Sequence, residues 1–289
     1  MRCDIIQGDC EKFLEKDLSK KFDLTFLDPP FNQNKEYLSH NDNMRPSSYW
    51  DWMKRVCTLI FNRTSTGGAI YFMQREKNTH FVLETLQSSG WTFQNLIIWK
   101  KKTSAVPNTK RFGKHYQIIA FATKGDTPRV FNKLRINPPL LVTEKYSRPK
   151  GRYVTDVWDD IRELTSGYFA GNEPLRFENK ERVHKQQSPI ALLIRIILSS
   201  SKVGGMIFDP FAGIGTTLVV AKQLQRESLG IEIDTTNYTI IKNRLTQERE
   251  SDNILNYHTD YTFTENLDDI WPIMREGTGQ DTLKSFIKV

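Results

Sequence analysis

Cysteine is scarce: Cys3, Cys10 and Cys57 are the only three in a chain of 289 residues. All three lie in the first fifth of the sequence, and their number is odd. That excludes a disulfide framework and suits the reducing cytoplasm. The histidines at 40, 80, 115, 184 and 258 are scattered, no Cys/His spacing resembles a metal site, and no metal is expected. The longest apolar run, Ile190 to Leu198, is broken by Arg195 and is too short to span a bilayer, so no membrane partner is expected. The opening Met1-Arg2-Cys3-Asp4 reads as the approach to a strand and carries no signal-peptide pattern. A Gly-Lys-Ser/Thr phosphate loop is missing too. Acids are sparse in one place. Between Lys100 and Arg152 only Asp126 and Glu144 oppose fourteen Lys and Arg, a local net charge of +12; the total is +7, so the remainder sums to −5. Such concentration fits a surface that faces phosphates.

What is present is an alternation of strand and helix patterns. Asp4 to Asp9, Phe22 to Leu27, Ala69 to Met73, Trp91 to Trp99 and Tyr116 to Thr123 read as strands in the first half, with helices at Glu11–Leu18, Tyr49–Asn62 and His80–Ser88. Prolines punctuate 125–183, which reads as an insertion. The alternation then resumes with a helix from Ile190 to Ser200, capped by Ser188 with Pro189 in its first turn, strands at Gly205–Phe208 and Ser228–Ile233, and helices at Thr216–Leu224 and Asn237–Glu250. This pattern implies a mostly parallel sheet covered by helices on both faces. The chain is long enough for one large α/β core.

Two turns carry chemistry. Phe26-Leu27-Asp28-Pro29-Pro30-Phe31 closes an apolar strand with a carboxylate, two residues that lack N–H donors and an aromatic ring. The combination can hold a flat, amino-bearing base. Later, Phe208-Asp209-Pro210-Phe211-Ala212-Gly213-Ile214-Gly215-Thr216 places two glycines between a strand and a helix, which suits close approach of a nucleotide to backbone. The third glycine of the dinucleotide fingerprint is absent. Glu232 follows at the end of the next strand, where an acid can accept ribose hydroxyls. Ligands of such folds sit beyond the carboxyl ends of the strands, so the turns at Asp9, Asp28 and Gly213 can meet there.

These motifs resemble those of the amino-group DNA methyltransferases that use S-adenosylmethionine. The order, with the Asp-Pro-Pro-aromatic motif first, the glycine motif last and a basic insertion between, is similar to the β group of that family. The resemblance implies a circularly permuted Rossmann-like methyltransferase fold. It implies a catalytic half over 1–125, a target-recognition insertion over 126–183, a cofactor-binding half over 184–250 and a C-terminal extension over 251–289. Smaller pieces agree: Asp156-Val157-Trp158, and Gly230-x-Glu232 with Tyr238 and Arg244. His184-Lys185-Gln186-Gln187-Ser188-Pro189 resembles a His-Pro-Thr-Gln-Lys-Pro segment but lacks its lysine. By this resemblance Asp28, Pro29, Pro30 and Phe31 are catalytic. Asp9, Asp209, Phe211, Gly213, Gly215, Thr216, Glu232, His184 and Gln187 bind the cofactor.

The implied reaction is base flipping in duplex DNA followed by methylation of adenine N6. Asp28 and the Pro29 carbonyl would draw on the amine while Phe31 stacks on the base. No cysteine follows a proline, so the Pro-Cys nucleophile of cytosine-C5 enzymes is absent. Lys100, Lys101, Lys102, Lys110 and Arg111 are candidate phosphate contacts. N4-cytosine methylation, a non-catalytic DNA-binding subunit, and methylation of RNA or protein are the competing readings. A homodimer and a cognate restriction endonuclease are the partners the resemblance suggests beside DNA.

Overall fold

A computed structural model describes residues 1–16, 21–33, 42–103, 109–137, 149–164, 171–177, 179–183 and 187–273. The strands are β1 (Cys3–Gln7), β2 (Phe22–Leu27), β3 (Thr64–Arg75), β4 (Thr92–Lys100), β5 (Tyr116–Thr123), the two-residue β6 (Arg135–Ile136), β7 (Arg152–Tyr153) and β8 (Val157–Trp158), then β9 (Met206–Asp209) and β10 (Glu227–Glu232). The helices are α1 (Cys10–Leu14), α2 (Pro46–Arg63), α3 (Thr79–Ser88), α4 (Ile190–Ser200), α5 (Thr216–Gln223), α6 (Thr235–Thr246) and α7 (Leu267–Ile270).

Eight strands form one sheet in the order β1-β10-β9-β2-β3-β5-β4-β8. The first five are parallel neighbours, and β5 runs against both β3 and β4. Period-two alternation divides the core in two. Leu24, Phe26, Ala69, Tyr71, Ile119 and Phe121 face one layer with α4 and α5. Leu27, Ile70, Phe72, Ile118 and Ala120 face the other with α2 and α3, and Phe22 joins them because the pairing of β2 with β3 shifts register between Phe22 and Leu24. Strands covered on both faces are apolar at consecutive positions, as β5 is over Ile118-Ile119-Ala120-Phe121-Ala122. Both the α/β class and the mostly parallel sheet therefore match the reading of the sequence.

Three features depart from it. Ser188 does not cap α4. Pro189 holds the N-cap position without a side-chain bond, and the Glu173 carboxylate accepts the Ile190 N–H at 2.7 Å. The Ser188 hydroxyl is aimed at Asp28 instead. Helix α6 begins earlier than expected because Asp234 caps it, accepting from the Asn237 N–H at 2.9 Å. The basic stretch does not lie on one surface. It contains β5, whose eight residues carry the chain roughly 26 Å across the sheet at about 3.3 Å per residue. Lys100 pairs with Tyr116 at the carboxyl edge, whereas Arg129 reaches Asp23 at the opposite edge.

Within 126–183, β8 adds to the sheet edge, and Trp158 and Ile161 enter the core. Asp160 from the same stretch forms a two-pronged ion pair with Arg195, the charge that interrupts the apolar face of α4. Past residue 250, Ile254, Tyr261, Ile270 and Trp271 are buried in the same layer, and the Ile270 carbonyl accepts from buried Arg226. No helix among the described residues is long and apolar enough to cross a membrane.

Candidate active site

The register of the parallel strands brings the motifs together. Thr25 stands opposite Phe208, Asp209 opposite Gly230, and Gln7 opposite Glu232. Asp28, the Asp209–Gly215 turn, Glu232 and the Gly8-Asp9 turn therefore leave adjacent strands at one edge. The Gly8 N–H donates to the Glu232 carbonyl at 2.9 Å, tying the outermost turns together. A direct bond joins the halves of the chain: the Ser188 hydroxyl donates to Asp28 Oδ2 at 3.0 Å across 160 positions of sequence.

The Asp28–Phe31 segment is held from behind. Tyr49 donates to the Pro30 carbonyl at 2.7 Å, and Gln74 donates to the Tyr49 hydroxyl at 3.0 Å. Tyr49 and Gln74 are buried, so this chain is protected from water. Asn32 has φ +52°, a left-handed conformation that asparagine tolerates. Its side chain exchanges two hydrogen bonds with the Met44 backbone, while buried Asp42 accepts from the N–H groups of Asn32 and Gln33 at 2.7 and 2.9 Å. Phe31 is itself buried, in the layer with Phe26 and Trp99. Pro29 is buried and Asp28 half-buried.

The glycine turn is similarly over-determined. Gly213 and Gly215 have φ of +55° and +79°, and a Cβ on Gly215 would lie 2.9 Å from Ile241. Asp209 accepts from the Phe211 N–H at 3.1 Å and from the Thr217 hydroxyl, so its carboxylate shapes the turn. Burial pushes the Asp209 pKa up to about 6. Phe211 packs edge-on against Trp52 at 5.6 Å, and Thr216 is buried at the start of α5. Arg244 donates to the Ile214 carbonyl at 2.5 Å while paired with fully buried Asp252 at 2.8 Å. Burial raises the Glu232 pKa to about 7, against the lowering effect of the Asp234 and Gly213 N–H groups. Such a carboxylate, held by N–H groups in a buried turn, fits a ligand that brings hydroxyl donors.

The remaining expected residues are placed as follows. Asp9 accepts the Lys12 N–H at 3.0 Å as the N-cap of α1. Gln187 uses both ends of its amide locally, on the Leu175 N–H and the Glu173 carbonyl. His184 lies outside the described residues. Lys100, Lys102, Lys110 and Arg111 are exposed; Lys101 is half-buried. Sequence reasoning missed Ser188 as the partner of Asp28, the Asp42–Asn32 clamp and the Tyr49–Gln74 support. Nothing in local spacing signals contacts of that separation.

Comparison with known proteins gives a consistent picture. A family described as DNA methylase matches residues 22–243. The chain is 28% identical over 265 residues to the type II methyltransferase M.BamHI of Bacillus amyloliquefaciens, covering 87% of this chain and 59% of that protein. It is 28% identical over 246 residues to M.HpaI of Haemophilus parainfluenzae, covering 84% and 74%. It is 31% identical over 250 residues to the DNA adenine methyltransferase YhdJ of Escherichia coli, covering 80% and 78%. Among solved structures, the M1.HpyAVI–SAM complex superposes with a TM-score of 0.57 at 22% identity, over 86% of this chain and all of that one. The cytosine-N4-specific PvuII DNA methyltransferase superposes with 0.63 at 15% identity, over 87% and 89%. These two likenesses are of fold.

Proposed function

Because the chain belongs to the DNA methylase family, we propose that it transfers a methyl group from S-adenosylmethionine to the N6 amine of adenine in duplex DNA. The coarser class, a methyltransferase acting on an exocyclic amine of DNA with this cofactor, follows from family membership. The observation that carries the reading is the meeting of Asp28 with the glycine turn and Ser188 at one sheet edge. The aspartate at position 28 and the 31% identity to an adenine enzyme support adenine over cytosine.

The cofactor supplies an electrophilic methyl group on a sulfonium. Everything else is positioning and charge placement by this chain. Glu232 would accept the ribose hydroxyls, and the Phe211–Gly215 turn would hold the methionine end. An aromatic amine is a weak nucleophile because its lone pair is delocalised. Acceptance of its two N–H bonds by Asp28 and the Pro29 carbonyl localises that pair on nitrogen. Tyr49 occupies the Pro30 carbonyl, which makes the Pro29 carbonyl our choice. The new N–C bond forms as the C–S bond breaks, and the surplus amine proton leaves through Asp28. Phe31 would stack on the extruded base, and because the ring is buried, base entry must uncover one of its faces. The 126–183 segment is our choice for sequence reading, and Lys100, Lys102, Lys110 and Arg111 for phosphate contacts.

The test is methylation of plasmid DNA in a host expressing the protein, read by sequencing that separates N6-methyladenine from N4-methylcytosine. N6-methyladenine at one short sequence is the expected product. N4-methylcytosine would move the assignment to the other amine, and unmodified DNA would overturn the reading.

A pH dependence follows from Glu232. With its pKa raised to about 7, the free protein binds an extra proton between the ordinary carboxylate range and neutrality. Asp209, raised to about 6, acts with the same sign. Their contribution to stability is present at low pH and lost as pH rises through those values. Cofactor binding runs the other way, since hydroxyl donors favour the ionised carboxylate. Affinity measured by calorimetry should fall about tenfold per pH unit below about 7. Glu232→Gln should bind weakly at every pH and flatten the profile. A wild-type affinity constant from pH 5.5 to 8 would contradict this role.

A further inference from the structure

Phe112 has no place in the fold. It is 96% exposed, the most exposed large hydrophobic side chain among the described residues. It sits in the connection from β4 to β5, which leaves the sheet at Lys100, enters it at Tyr116 and is closed by the Lys101 N–H donating to the His115 carbonyl at 2.8 Å. That is the carboxyl edge, the edge of Asp28. A phenyl ring kept in water gains nothing from folding and stays available to a partner.

The surroundings say which partner. Arg111 precedes Phe112, and Lys114 follows after Gly113. The carboxyl end of β3 brings Arg75 and Lys77 beside them. Lys77 is held below the ordinary lysine pKa by partial burial and then by the charges of Arg75, Lys114 and Arg111, with Glu76 opposing. Glu76 is paired with Lys114 at 3.2 Å. Four cations around one acid leave an excess that a polyanion neutralises. Neither Arg75 nor Lys77 belongs to the basic run evident in the sequence.

Resting on the reading given under Proposed function, we propose that Phe112 is a wedge that enters the base stack of duplex DNA while Arg75, Lys77, Arg111 and Lys114 grip the flanking phosphates. Extruding a base leaves a gap in the stack and an unpaired partner base. Apolar side chains are suited to fill such a gap, and the unstacking they offset costs a few kcal/mol. Phe112 thus acts on the duplex, in a different role from Phe31.

The test uses a synthetic duplex spanning a site mapped by sequencing of modified plasmid, and the same duplex with the target base opposite an abasic position. The second substrate already lacks the pairing the wedge disrupts. Single-turnover methylation of the matched duplex by Phe112→Ala should be roughly tenfold slower or more, as expected for loss of one stacking ring. On the abasic duplex the variant should match wild type within about twofold, and Phe112→Trp should restore the matched rate. Thermal unfolding of Phe112→Ala should be unchanged, since the ring packs on nothing. Equal rates of variant and wild type on the matched duplex would overturn the wedge alone. Equal slowing on both duplexes would overturn it too, and an accompanying change in sedimentation would assign the ring to contact between copies of the chain. A plasmid left unmodified, with no site to map, would instead overturn the methyltransferase reading itself.

Discussion

Asp28→Ala is expected to slow methyl transfer by roughly 10²–10⁴-fold while cofactor affinity stays within about twofold of wild type. The effect is large because the proposed chemistry has no covalent intermediate and no second nucleophile to fall back on. The acceptor that localises the amine lone pair is the main lever the chain holds. Its position depends on both halves of the sequence: β2 delivers it to the edge, and Ser188 fixes Oδ2. Asp28→Asn is the informative control. It keeps the shape and one carbonyl acceptor but replaces a charged acceptor by a neutral one, roughly halving the strength of the hydrogen bond to the amine. Its rate should fall between wild type and Asp28→Ala. Single-turnover kinetics with saturating cofactor separate this chemical defect from binding. An Asp28→Ala enzyme near the wild-type rate would remove the mechanism.

Arg244→Ala is expected to destabilise the fold by about 3–5 kcal/mol in urea denaturation. Arg244 and Asp252 are both buried, and the guanidinium also donates to the Ile214 carbonyl in the glycine turn. Truncation leaves the buried Asp252 carboxylate, among the described residues, with the longer 3.6 Å contact to Arg249, and leaves a turn carbonyl without this donor. Replacing both partners with apolar residues of similar volume should cost less than either single truncation, because no lone charge stays in the interior. Cofactor affinity should nevertheless suffer in the double variant, since the Ile214 carbonyl loses its anchor. Stability and affinity that fell in strict proportion across the three variants would argue against a specific link from Arg244 to the turn.

Much of this site was legible in the sequence, for a physical reason. Strand-end turns advertise themselves through residues with unusual backbone demands: two prolines after Asp28, and Gly213 and Gly215 at positive φ. Adjacent parallel strands then force such turns to one edge whatever their separation in sequence. Element boundaries at β5 and α4 were equally plain, because each contains a near-continuous apolar run with polar residues beside it. What stayed hidden was pairing across distance. Ser188 looks like a helix cap because its neighbour is Pro189 and a helix follows. Only the fold reveals that Glu173 does the capping and frees the hydroxyl for Asp28. Asp42 hides in an asparagine-rich stretch, and the cations of Arg75 and Lys77 lie outside the basic run they join in space. The same basic run misleads in the other direction, since β5 divides its charges between opposite edges of the sheet.

The central claim is that the Asp28 turn and the glycine turn form one site across a methyl donor. Determining the crystal structure with S-adenosylmethionine tests it most directly. The account predicts the methyl carbon within roughly 6 Å of the Asp28 carboxylate, the span of one near-attack distance and one hydrogen bond, with both ribose hydroxyls on Glu232. A cofactor bound away from Glu232, or one whose methyl group points away from the Asp28 edge, would contradict it.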